Sequence, residues 1–88
     1  MSDLCTAYPT QIVMYTTENC SDCRRAKAIF EANGIAYLPV KLEGNSVATD
    51  FVMQLNNGYQ SVPTIVFPDG SILVEPHWEE LKAKISNL

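Results

Sequence analysis

Gln11-Ile12-Val13-Met14-Tyr15-Thr16-Thr17-Glu18-Asn19-Cys20-Ser21-Asp22-Cys23 joins an apolar run to a pair of closely spaced cysteines. Its first half is apolar and rich in strand formers, which predicts a strand over Gln11–Thr16. From Ser21 onward the apolar residues recur at helical spacing, with Ala26, Ile29, Phe30 and Ala32 as the expected stripe. Asn33-Gly34 is a helix stop, so this helix should span Ser21–Ala32. Two cysteines separated by two residues therefore sit at a strand-to-helix corner. A thiol in the first turn of a helix faces unpaired N–H groups and the positive end of the helix dipole. Both favour the thiolate, which is the nucleophilic form. Residues three apart share one helix face, close enough for the sulfurs to bridge.

Outward from that corner the chain alternates. A second strand is expected over Ala36–Leu42, at an edge of the sheet because Pro39 cannot donate to a ladder. A second helix is expected from Ser46 as N-cap to near Gly58, burying Val47, Phe51, Val52 and Leu55. Thr64–Phe67 and Ile72–Val74 read as a hairpin around Pro68-Asp69-Gly70-Ser71. A last helix is expected from Pro76, with Glu79 and Glu80 near its positive end and Lys82 and Lys84 near its negative end. Trp78, Leu81 and Ile85 are spaced as its inner face. The order β-α-β-α-β-β-α gives an α/β fold, thioredoxin-like in its short form, with a four-stranded mixed sheet and helices on both faces. One domain over residues 1–88 is expected, with 1–9 as a lead-in and 11–86 as the core.

The 88 residues carry ten acids and six bases, a net charge of −4. That balance argues against nucleic acid as a partner. No apolar run reaches the roughly 18 residues of a membrane span. The first residues lack the basic start and apolar stretch of a secretory signal, so the expected location is the cytoplasm. Three cysteines, an odd number, argue against a structural disulfide framework. In a reducing compartment a close pair is catalytic or metal-binding. Zinc would need Cys5, Cys20, Cys23 and His77 to converge, which a lone C-x-x-C supports weakly. The redox reading makes Cys20 the exposed attacking thiol and Cys23 the more buried resolving one. Arg24, Arg25 and Lys27 could steady a thiolate, whereas the Asp22 carboxylate between the cysteines opposes a second negative charge.

Val62-Pro63 opens the third strand after a polar loop. Its peptide bond can be cis or trans on residue chemistry alone. A cis bond would turn the Val62 backbone toward the cysteines, where an extended substrate could pair with it. Tyr15 and Tyr59 could flank the corner or simply pack. Arg24 and Arg25 could attract an anion or remain solvated. His77 reads as a solvated helix-start histidine and Trp78 as core. Cys5 is expected to be a free thiol.

Cys20-Ser21-Asp22-Cys23 after Met14-Tyr15-Thr16-Thr17, then Ser61-Val62-Pro63-Thr64 and Asp69-Gly70-Ser71, resembles the glutaredoxin family, and within it the mycoredoxin branch of actinobacteria. The resemblance runs over residues 11–86. It implies Cys20 as nucleophile and Cys23 as resolving thiol. It also implies a cis Val62–Pro63 bond bordering a groove for a low-molecular-weight thiol; outside the resemblance, Tyr15 and Arg24 stand as further candidates for binding that thiol on their residue chemistry and position alone. The implied activity is reduction of protein disulfides, or of mixed disulfides with such a thiol, by a dithiol or monothiol route. No bound cofactor or metal is implied. The co-substrate would be mycothiol or glutathione, and the partners thiolated or oxidised proteins and a flavin-dependent disulfide reductase. The protein is expected to be a monomer. Departures from the family are Asp22 for the usual tyrosine, Glu18-Asn19 before the first cysteine, and Glu75-Pro76-His77-Trp78 where glutathione-using members carry Gly-Gly and paired acids. The loss of Gly-Gly argues for mycothiol over glutathione. A redoxin linked to thioredoxin reductase and serving ribonucleotide reductase is the neighbouring alternative, although the tail segment of those proteins is missing. A zinc-binding module and a redox-inactive interaction domain are the alternatives of other classes.

Overall fold

Alternation along β1 (Ile12–Thr16) sends Ile12 and Met14 to one face of a sheet and Val13 and Tyr15 to the other. Each face then acquires its own apolar cluster. The structure, a computed structural model, describes residues 10–88; Cys5 and the rest of the lead-in lie outside them. Its elements follow the expected order: β1, α1 (Ser21–Ala32), β2 (Tyr37–Lys41), α2 (Ser46–Leu55), β3 (Thr64–Val66), β4 (Ile72–Val74) and α3 (Trp78–Ser86). The four strands form one sheet in the order β2-β1-β3-β4. β1 and β2 are parallel, with Met14 opposite Pro39. A parallel pair needs a crossover, and α1 supplies it. β3 runs antiparallel to both β1 and β4. Pro39 thus lies on an edge strand, as its missing donor requires.

On one face Ile12, Met14, Ile65 and Phe67 pack with Ala26 and Phe30 of α1 and Leu81 and Ile85 of α3. The Phe30 ring is fully buried and stacks on Tyr37 at 5.0 Å between centroids. On the other face Leu42, Ala48 and Val52 close against Tyr15, Val40 and Val62, which places α2 there. The mixed α/β sandwich with helices on both faces is therefore observed, and it is the thioredoxin-like, glutaredoxin-type fold.

Several boundaries and faces differ from expectation. α2 is capped by Asn45, not Ser46: the Asn45 Oδ1 accepts from the Ala48 N–H at 3.0 Å. Of the expected face of α2, Val52 is buried and Leu55 half-buried, and Ala48 joins them, while Val47 is 79% exposed and Phe51 38%. The helix also stops at Leu55, because Asn57 and Gly58 adopt positive φ of 55° and 94°. In α3, Pro76 lies before the helix and His77 is the N-cap, its Nδ1 accepting from the Glu79 N–H at 3.3 Å. Trp78 is then the first helical residue, 43% exposed, with the Lys82 ammonium 5.0 Å above its ring. It is not core. Ala32, at the last turn of α1, is exposed as well.

Candidate active site

Cys20 ends the corner between β1 and α1 in extended backbone, φ −125° and ψ 106°, and acts as the N-cap of α1. Its sulfur accepts from the Cys23 N–H at 3.1 Å. A sulfur thus takes the place that Ser, Asp or Asn oxygens usually occupy, satisfying one of the unpaired N–H groups of the first turn. Cys20 is partly exposed and Cys23, one turn on, is buried; both are free thiols. The burial pattern Cys23, Ala26, Phe30 puts Cys23 on the inner face of α1. Burial pushes the Cys23 thiol up to about 11, and the neighbouring Cys20 adds to the rise; hydrogen bonds from the Thr16 hydroxyl and the Thr17 backbone oppose it.

The Val62–Pro63 bond is cis. The Val62 carbonyl lies 3.8 Å from the Cys20 sulfur. Four hydrogen bonds that sequence reading missed hold this loop and tie it to its neighbours. The Glu75 N–H donates to the Pro63 carbonyl at 2.8 Å. The Thr64 hydroxyl, fully buried, donates to the Ser61 carbonyl at 2.7 Å. The Asn56 amide, at the C-cap of α2, donates both to that hydroxyl at 3.2 Å and to the Val52 carbonyl at 2.9 Å. A threonine directly after Pro63 and an asparagine in the polar run Asn56-Asn57-Gly58 were the available signals. Glu75 reaches its position with φ of 46°, a left-handed conformation more often taken by glycine.

The other candidates separate. Arg24 borders a groove of ≈ 510 Å³ between α1 and the β2 edge, and its guanidinium donates to the Glu18 carbonyl at 3.5 Å. Tyr15 packs on the α2 side, 5.4 Å from Phe51 between ring centroids, and burial raises its phenol above the usual value. Tyr59, in contrast, is 70% exposed and packs little. Asp22 does not stand alone between the cysteines, because Arg25 pairs with it at 3.2 Å. His77 is exposed, as expected, and also serves as a cap. Among the described residues no three His, Cys, Asp or Glu side chains converge as metal ligands. No helix there is long and apolar enough to cross a membrane.

Comparison with known proteins gives concordant results. The glutaredoxin family model matches residues 12–72. A Mycobacterium tuberculosis protein bearing the glutaredoxin name is 45% identical over 74 residues, 84% of this chain and 88% of that protein. Glutaredoxin 3 of Escherichia coli K12 is 30% identical over 54 residues, 61% of this chain and 64% of its own. The crystal structure of a glutaredoxin from Archaeoglobus fulgidus superposes with a TM-score of 0.74 at 20% identity, over 97% of this chain and 96% of that one, a likeness of fold.

Proposed function

The chain belongs to the glutaredoxin family and shares its thiol–disulfide oxidoreductase character, and from that premise we propose that it reduces protein disulfides and protein mixed disulfides with Cys20 as nucleophile and Cys23 as resolving thiol. The observation that carries this reading is the sulfur of Cys20 at the N-cap, partly exposed, with the Cys23 N–H aimed at it from 3.1 Å. The Cys20 thiolate attacks one sulfur of the substrate disulfide. The S–S bond breaks, its electron pair leaves with the departing thiolate, and a mixed disulfide forms at Cys20. Cys23, once deprotonated, attacks the Cys20 sulfur and releases the second substrate thiol. The substrate gains two electrons, and the protein is left with a Cys20–Cys23 disulfide. Two equivalents of a low-molecular-weight thiol, or a flavin-dependent disulfide reductase, return it to the dithiol.

The Val62 carbonyl beside Cys20, held by Glu75, Thr64 and Asn56, offers an acceptor to the backbone of an extended substrate. Mycothiol is the preferred small thiol in this reading. The close backbone approach that Gly-Gly allows in glutathione-using relatives is lost here, where Glu75-Pro76-His77-Trp78 stands instead. A reducing compartment, the cytoplasm, suits a protein that works through free thiols.

The test compares Cys20→Ser and Cys23→Ser on two substrates, with mycothiol, glutathione and thioredoxin reductase each tried as the regenerating system. Cys20→Ser should abolish turnover of both. Cys23→Ser should still reduce small-thiol mixed disulfides while losing protein disulfides. Equal loss of both activities in Cys23→Ser would refute the division of labour, and faster turnover with glutathione than with mycothiol would refute the choice of thiol.

A further inference from the structure

Apart from Cys23 in its wall, the groove between α1 and the β2 edge has no part in the steps above. Its ≈ 510 Å³ falls in the range of ligand-holding clefts. Met14, Tyr37 and Pro39 give it an apolar lining, and Arg24, Lys27 and Lys41 stand around it. These are three of only six cations in a chain of net charge −4, so their gathering runs against the overall balance. Lys41 is compensated, its ammonium lying 3.2 Å from the Glu18 carboxylate. Neither Arg24 nor Lys27 has a carboxylate partner among the described residues. Two uncompensated cations beside apolar side chains complement a ligand that is acidic and partly apolar.

Position selects the kind of ligand. Cys23 belongs to the wall of this groove and Cys20 does not. The Cys20 sulfur instead faces the Val62 carbonyl, before β3, whereas the groove opens toward β2 on the opposite side of β1. A small thiol bonded to Cys20 can be accommodated beside the Val62 carbonyl without entering the groove. A polypeptide bonded there through its own cysteine has chain on both sides of that cysteine, long enough to reach both flanks. We propose that the groove is a docking subsite for protein substrates and takes an acidic segment flanking the substrate's reactive cysteine. This rests on the reading that Cys20 forms the mixed disulfide.

Binding can be measured without turnover. The 88-residue chain carrying Cys20→Ser is titrated with serine-centred peptides carrying a leucine and two acidic residues on one side or the other, and with their Asn/Gln counterparts. At low salt one acidic peptide should bind about tenfold more tightly than its amide counterpart, as two exposed charge contacts allow. Adding Arg24→Gln and Lys27→Gln should reduce that preference below about threefold. Adding Arg25→Gln and Lys82→Gln, which removes the same charge elsewhere, should keep it. Equal affinity for acidic and amide peptides, or equal loss in both double variants, would overturn the proposal. Acid-selective binding without reductase activity in the wild type would support the groove and overturn the redox reading. Reductase activity without acid-selective binding would overturn the groove alone.

Discussion

At the scale of single residues, the two cysteines differ because one helical turn separates exposure from burial. Cys23 is 3% exposed, and its thiol is pushed up to about 11 by that burial and by Cys20. A protonated thiol is a poor nucleophile, so the two sulfurs should be distinguishable by alkylation. Iodoacetamide applied to the reduced protein near pH 8, followed by peptide mass mapping, should place the adduct on Cys20 and leave Cys23 unmodified. Cys23 labelling should grow about tenfold per pH unit from pH 9 toward 11. Comparable labelling of both sulfurs at pH 8 would contradict the burial argument. Asp22, which the sequence suggested as a brake on negative charge at this corner, already has Arg25 as counter-charge and is half-exposed. Asp22→Asn should therefore change the Cys20 alkylation rate by less than about threefold, since exposed charges are screened.

At the scale of elements, the same rules that read α1 correctly misread part of α2. α1 was legible because Gly34, with φ of 65°, ends it and because Ala26 and Phe30 are the dominant apolar pair of their stripe. In α2 two stripes compete, Val47–Phe51 and Ala48–Val52, adjacent around the helix. The sequence reading drew on both, taking Val47 and Phe51 together with Val52 and Leu55, and Val52 is fully buried as expected. Ala48 joins Val52 in the buried stripe, while Val47 and Phe51 are exposed. The start of α2 is set by Asn45, whose Oδ1 accepts from the Ala48 N–H, so Asn45→Ala should lower stability by about 1 kcal/mol, roughly 4–8 °C in Tm, and Ser46→Ala by much less. Thermal unfolding of the two variants checks this, and a larger loss at Ser46 would restore the earlier assignment. The site divides in the same way. Cys20 and Cys23 were legible because their chemistry is contiguous in sequence and their setting is a single corner. The bonds from Asn56 to Thr64 and from Glu75 to Pro63 join separate elements, and no local pattern announces them. Trp78 was misplaced because α3 begins with that residue, so no preceding turn carries it inward.

At the scale of the whole molecule, stability should fall at both ends of the pH range, for different reasons. Asp69 joins the β3–β4 turn to α3: its carboxylate accepts from the Lys84 ammonium at 2.7 Å and from the Ser71 hydroxyl at 2.6 Å. These contacts hold Asp69 below the usual carboxylate range. A depressed folded value contributes stability that is present above the unfolded value near 4 and is lost as pH falls below it. Lys84→Met should flatten the acid limb. At the alkaline end Cys23 acts in the opposite sense. Its folded value near 11 lies above the ordinary thiol value of 9.0, so above pH 9 the unfolded chain releases a proton that the folded chain keeps. Stability then declines as pH rises from 9 to 11, by a contribution of order 2 kcal/mol. Tyr15 and Tyr37, both raised by burial, add to the decline above pH 10. Urea unfolding of the reduced protein at pH 8, 9, 10 and 11 separates these terms when repeated on Cys23→Ala. The tyrosine part should persist in the variant and the thiol part should vanish, so the two stability curves should converge as pH rises. Parallel curves across that interval would show that the thiol at position 23 titrates alike in the folded and unfolded chain, and that the inner face of α1 does not shield it.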